Sequence, residues 1–152
     1  MKKFDYSSFL FNVFSPLLLG TIIAFLFKDS FTSIDNLNRN INFPPIIFII
    51  VWSVLYLLMG IWYYKFEKDN NNDLINSIYW ISLFVNLMFV PILFSLNNLV
   101  LALIDVIVLF AMILFLFIYS LKQKQKYAFL LLPYLIWLVL ACTLMIDLIL
   151  CN

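Results

Sequence analysis

The stretch from Leu99 to Leu121, LVLALIDVIVLFAMILFLFIYSL, carries a single charge, Asp105, and no Gly or Pro. An α-helix rises about 1.5 Å per residue, so this run alone crosses a hydrocarbon core of about 30 Å. Moving outward, similar runs precede it at Phe9–Phe27, Pro45–Tyr64 and Leu74–Phe94, and one follows at Tyr127–Leu150. A β-barrel would show segments of about ten residues alternating apolar and polar, whereas these runs are continuous. The expected fold is an all-α integral membrane protein, a five-transmembrane-helix bundle forming one domain over residues 1–152. Composition agrees: 66% hydrophobic and 11% charged, with mean hydropathy +1.08, against about 25% charged in soluble domains. Lys2 and Lys3 before the first run resemble a signal peptide's start. The run is longer than an h-region and no A-x-A-like site follows, so it reads as the first helix.

Several chemistries are excluded. With no His, neither a Ser-His-Asp triad nor an imidazole-ligated metal can be built from this chain. Nine Lys plus Arg against eight Asp plus Glu leave no basic footprint for nucleic acid. Cys142 and Cys151 would lie about 13 Å apart along one helix, too far for a disulfide, and read as packing residues. Gly20 and Gly60 are the only glycines, which removes phosphate-cradling loops and G-x-x-x-G pairing.

The breaks fall at Lys28–Pro44, Lys65–Asp73, Ser95–Asn98 and Lys122–Lys126. Lys2, Lys3, Lys65, Lys68, Lys122, Lys124 and Lys126 share one side, against Lys28 and Arg39 on the other. The positive-inside rule then places the N-terminus in the cytoplasm and the C-terminus outside. The first loop, with Asp29, Ser30, Asn36, Asn38, Arg39, Asn40 and Asn42, is long enough for a lid and equally suits a passive connector.

Asn12, Ser82, Asn86, Asp105 and Asp147 are costly in lipid, about 2.5–3.5 kcal/mol for a central Asp. Such residues face a bundle interior or water. Asp105 and Asp147 are shallow on the outer side, where interfacial water is an equal alternative to a functional role. Pro16, Pro91 and Pro133 sit where a missing N–H kinks a membrane helix. Helical spacing groups Trp52, Tyr56 and Gly60 on helix two, Ser82, Asn86 and Phe89 on helix three, and Pro133, Trp137 and Ala141 on helix five. Each face joins a large ring to small or polar residues, as a pocket for a flat apolar ligand requires. Ordinary bundle packing and an aromatic belt account for the same rings.

Three blocks carry a resemblance. Pro44–Gly60 reads PPIIFIIVWSVLYLLMG; Asn86–Phe94 reads NLMFVPILF; Leu132–Ala141 reads LPYLIWLVLA. In order and spacing they resemble the second-, third- and fifth-helix signatures of the TspO/MBR family, the tryptophan-rich sensory proteins and the mitochondrial translocator protein (peripheral benzodiazepine receptor). Leu101–Asp105 in helix four and the closing Asn152 are also similar. Phe89 stands at the family's Trp position, Met145 replaces a frequent Asn, and the first-loop W-Y-x-x-L-x-K-P pattern is absent.

The resemblance implies a receptor-like membrane protein, commonly dimeric, that binds tetrapyrroles such as protoporphyrin IX or haem, or drug-like aromatic molecules, inside the bundle, with no obligatory cofactor. It would sit among membrane lipids, with a bacterial cytoplasmic membrane the expected location. Carried over by position, Trp52 and Tyr56 line the ring cage, Asn86 is a polar anchor, Phe89 replaces a stacking Trp, and Trp137 with Ala141 closes the far wall. Asp105 is a weaker candidate. Light-dependent porphyrin breakdown, proposed for family members, would be weakened by Phe at 89, since phenylalanine is harder to oxidise than indole. Nothing in the sequence pairs a nucleophile with a base, so enzymatic activity is not expected. The competing readings are a small transporter, for which the acids are shallow, and a ligand-free assembly subunit in which Asn86 serves as a helix–helix hydrogen bond.

Overall fold

A computed structural model of the protein describes residues 6–34, 37–41, 44–69 and 72–152. Lys2, Lys3, Asn36 and Asn42 lie outside the described residues. Among the described residues five helices are long and apolar enough to cross a membrane: α1 (Tyr6–Leu26), α2 (Pro45–Asp69), α3 (Asp73–Val90), α4 (Leu99–Lys122) and α5 (Leu132–Cys151). The five-helix expectation holds, and the ends differ in instructive ways. Helix α2 continues past Tyr64, so Lys65 and Lys68 ride on its last turns, where long lysine stems reach water from an apolar surface. Helix α3 gives way at Pro91 to a π-helical turn, Pro91–Ser95, closed by Leu96 N–H on the Pro91 carbonyl at 3.0 Å. Proline's missing N–H breaks the four-residue ladder there, and a wider turn replaces a simple kink. A 3-10 segment, Lys126–Leu131, precedes α5. Pro133 therefore stands in the first turn of α5, where its absent N–H costs nothing, and does not kink the helix.

The turns follow from local chemistry. Asn72 caps α3 by accepting from the N–H groups of Leu74 and Ile75, at 3.0 and 3.3 Å. Asn98 caps α4 through Leu101 N–H at 2.9 Å, and each cap satisfies donors that would otherwise be orphaned. Asn97, with φ 50°, takes the left-handed conformation that Asn tolerates best after Gly, and so reverses the chain within three residues.

Helix α1 packs on α2 and α3, α3 on α4, and α4 on α5, while the 3-10 segment before α5 packs on both α2 and α4. The helices form a ring in the order α1, α2, α5, α4, α3. A five-membered ring leaves a wide interior, and large rings fill it: Trp62, Phe66, Tyr79 and Tyr134 are among the largest fully buried side chains. Helices α2 and α3 meet across this interior through stacked Tyr63 and Tyr79, 3.8 Å between centroids, and through Trp62 with Tyr79 at 6.1 Å. Hydrogen bonds cross it too, Trp62 Nε1 donating to Ser120 Oγ at 3.1 Å and Trp80 Nε1 to Tyr63 OH at 3.2 Å. Within a membrane, helix association rests on such packing and bonding, because lipid is as apolar as the helices.

Candidate ligand site

Helix α2 aims Phe48, Trp52 and Tyr56, four residues apart, toward α5 and α3. The Trp52 ring lies 5.8 Å from Tyr56, 6.0 Å from Tyr134 and 6.4 Å from Trp137, the last two edge-to-face, and Phe48 meets Trp137 edge-to-face at 5.7 Å. These are the offset and T-shaped arrangements that ring quadrupoles favour. The rings touch one another, so a flat guest must part them.

Beneath this cluster a hydrogen-bond chain joins three helices. Tyr56 OH donates to Asn86 Oδ1 at 2.6 Å, and Asn86 Nδ2 donates to Tyr134 OH. Asn86 is 2% exposed and Tyr134 1%. Asn is suited to the middle of such a chain because its amide accepts on one atom and donates from the other. Having accepted from Asn86, the Tyr134 hydroxyl keeps its own proton, for which no acceptor is found among the described residues. Trp137 Nε1 is likewise buried without a hydrogen-bond partner, as is Asp105 Oδ2. Around the rings the described residues therefore leave donors at Tyr134 and Trp137 and an acceptor at Asp105 uncommitted, with the buried Tyr79 hydroxyl also unpartnered, in surroundings where an unmade hydrogen bond is costly.

Of the residues singled out from the sequence, the structure brings Trp52, Tyr56, Asn86 and Trp137 into this one constellation. Phe89 and Ala141 are partly buried against the same core. Phe89 also touches the outer cluster of Leu93, Ala102, Met145 and Leu148. Asp105 is half-buried and makes no hydrogen bond to the Tyr56–Asn86–Tyr134 chain, though it lies within electrostatic reach of the Tyr134 hydroxyl.

Ser82 is buried, as is Asn86, and its hydroxyl donates to the Tyr79 carbonyl of its own helix at 2.7 Å. One of the face assignments needs correction. Gly60 faces α1, where an added Cβ would meet Asn12 O at 2.5 Å and Val13 Cα at 2.7 Å. Each step of four residues turns a helix face by about 40°, so by Gly60 the face of Trp52 has rotated by about 80°. Tyr134 and Phe48 were missed as site residues. Tyr134 lies in the quoted LPY block, and the i, i+4 spacing from Phe48 to Trp52 would have disclosed Phe48.

The end of the bundle that carries the C-terminus is closed by the first loop. Asp147 accepts from Asn40 N–H at 2.9 Å, Ile41 N–H at 3.0 Å and Asn40 Nδ2 at 3.0 Å. Asn38 and Asn152 bond reciprocally: Asn38 N–H donates to Asn152 Oδ1 at 3.0 Å, and Asn152 Nδ2 donates to Asn38 O at 2.8 Å. Asp147 thus holds backbone, and the loop is a strap across the end of α5. Asn12 also finds a polar partner, donating through Nδ2 to Glu67 Oε2 at 2.7 Å. Cys142 and Cys151 are free thiols.

A sequence model of the TspO/MBR family matches residues 12–150, from the middle of α1 to the last turn of α5. The chain belongs to the TspO/MBR family. It is an integral membrane protein of that family. A search of curated proteins returned no significant match. Within this TspO/MBR chain the Trp52–Tyr56–Asn86–Tyr134–Trp137 constellation draws on α2, α3 and α5, all inside the matched region. Among the described residues no group of three or more Cys, Asp or Glu is placed to hold a metal.

Proposed function

We propose that the protein binds a tetrapyrrole or comparable flat aromatic molecule between the rings of Trp52, Tyr56, Tyr134 and Trp137. The observation that carries the reading is the buried, unpartnered Nε1 of Trp137 beside the Trp52 ring. A ring wall with an uncommitted N–H suits a planar apolar guest that carries a hydrogen-bond acceptor on its edge, such as a carbonyl or carboxyl group. The Tyr134 hydroxyl supplies a second donor. With no His in the chain, a haem guest would find only the Tyr56 and Tyr134 hydroxyls of the cage as axial ligands for its iron, whereas metal-free protoporphyrin IX needs none. Family membership supports the class of ligand, and the ring cage supports its shape.

The test is a titration of purified protein in nanodiscs with protoporphyrin IX, followed by tryptophan quenching. Saturable binding is expected. Trp52→Ala should abolish it, and Trp137→Phe, which keeps a ring and removes the N–H, should weaken it about tenfold, the worth of about 1.4 kcal/mol. Non-saturable uptake that is identical in all three proteins would refute a pocket and leave membrane partitioning. The transporter reading gains little from the fold: Asp105 lies within electrostatic reach of the Tyr134 hydroxyl but makes no hydrogen bond to the interior chain, and Asp147 is engaged by the loop.

A further inference from the structure

The end of the bundle that carries Lys65, Lys122, Lys124 and Lys126 holds a cleft unconnected with the ring cage. It occupies about 360 Å³ and is lined by Lys65, Lys126, Tyr127, Phe129 and Leu130. The last turns of α2 form one wall and the 3-10 segment before α5 the other, two elements that pack directly. Lys65 and Lys126 are exposed, and neither has an ion-pair partner among the described residues. Phe129 is 61% exposed, yet it is held in place edge-to-face on Phe117 at 6.3 Å. Asp69 interacts with Tyr127, so the cleft itself sets two cations against one acid.

We propose that this cleft is a binding site for the headgroup and upper acyl chain of an anionic phospholipid. Two ammonium groups on flexible stems sit at the rim, where they reach phosphate oxygens and exchange water for a diester charge. Phe129 and Leu130 give the cleft an apolar floor, with Phe129 61% exposed, which suits an acyl chain. A soluble anion would gain nothing from that floor, and a neutral lipid would gain little from the lysines. At about 360 Å³ the cleft lies near the lower end of ligand-site volumes. The exposed Lys122 and Lys124 at the same end add attraction at longer range. By the positive-inside rule this end faces the cytoplasm, the leaflet surface where anionic lipids raise a negative potential. A lipid seated here would bridge α2 and the start of α5, the two helices that carry Trp52 and Trp137.

The experiment is native mass spectrometry of the full chain released from detergent, titrated with phosphatidylglycerol or with phosphatidylcholine of the same acyl chains. Wild type should retain phosphatidylglycerol in preference. Lys65→Gln/Lys126→Gln should lose about ten- to thirtyfold in affinity, since each lysine near anionic lipid contributes about 1 kcal/mol. Lys122→Gln/Lys124→Gln, the same change of charge outside the cleft, should retain at least half of the adduct. Melting in phosphatidylcholine nanodiscs should be the same for both double variants and wild type, which separates lipid loss from misfolding. A double variant at Lys65 and Lys126 that melts early is replaced by Phe129→Ser, which should lose the lipid with both lysines intact. Equal retention of the two lipids, or equal loss in both double variants, would overturn the proposal. Displacement of the lipid by millimolar glycerol phosphate would also overturn it, in favour of a soluble anion.

Discussion

Asn86 is the residue on which the interior turns, because its amide is the only group in the Tyr56–Asn86–Tyr134 chain that serves two partners. Replacing it with Ala strands two buried hydroxyls at once. A buried polar group left unpaired costs about 1–3 kcal/mol, whereas a single interhelical hydrogen bond in a membrane contributes about 0.6 kcal/mol on average. Asn86→Ala should therefore destabilise the bundle by about 1–3 kcal/mol, and Tyr56→Phe by less, as read by unfolding in mixed micelles. Equal and negligible losses would mean that the chain does not hold together in the membrane. Loss of ligand binding in Asn86→Ala consequently does not distinguish a contact with the guest from a collapsed cage. Trp137→Phe does, because the N–H it removes makes no hydrogen bond among the described residues.

At the scale of the helices, the two glycines set how closely α1 approaches α2, and their neighbours differ in kind. A Cβ on Gly60 would meet the α1 backbone at Asn12 O and Val13 Cα, at 2.5 and 2.7 Å, whereas one on Gly20 would meet the Tyr56 ring at 2.4 Å. Backbone has no rotamer in which to yield, so Gly60→Ala should push the helices apart and cost several kcal/mol in unfolding measurements, within the range for overpacking or above it. Gly20→Ala should cost less and act through Tyr56, lowering ligand affinity; an unchanged affinity would show that the ring has room to move. The sequence displayed the helices themselves plainly, since five long apolar runs admit few other folds. Of the site, Trp52, Tyr56, Asn86 and Trp137 were legible from spacing and family blocks. Gly60 was assigned to the wrong face because spacing of four drifts around a helix. The role of Tyr134 was hidden because a Tyr after Pro in a membrane helix reads equally as an interfacial ring. Asp147 resisted reading for another reason: its partners Asn40 and Ile41 lie more than a hundred residues away in the chain, and two of its four bonds go to backbone amides that carry no sequence signature. Asp147→Ala should free the strap, seen as faster hydrogen exchange at the Asn40 and Ile41 amides with little change in the helices. Unchanged exchange there would mean that the Asn38–Asn152 pair and the Asn40–Cys151 bond suffice to hold the loop.

For the molecule as a whole, the ring of helices and the strap enclose a cage whose walls touch. Trp52 contacts Tyr56, Tyr134 and Trp137 together, so under the proposed function this is a closed form, which a planar guest would enter only after the rings separate. Moving several large side chains, and the helices behind them, is a collective motion of microseconds to milliseconds or slower. The binding-competent population is then a fraction of the whole, and apparent affinity is reduced by that fraction. Kinetics carry the signature: on stopped-flow mixing with protoporphyrin IX, the observed rate should rise with ligand concentration and level off at the rate of opening. Asp147→Ala should raise that plateau, because releasing the strap from α5 removes three hydrogen bonds that resist separation of the outer ends of α2 and α5. Trp52→Phe should raise it as well, by shrinking the ring that touches three neighbours, while leaving the Tyr56–Asn86–Tyr134 chain intact. A rate that stays linear in ligand concentration up to the solubility limit would place the guest on the lipid-facing surface. If Trp52→Phe moved the plateau and Asp147→Ala did not, entry would run laterally from the bilayer, between helices whose outer faces already present Ile46, Ile49, Ile50 and Val54 to lipid.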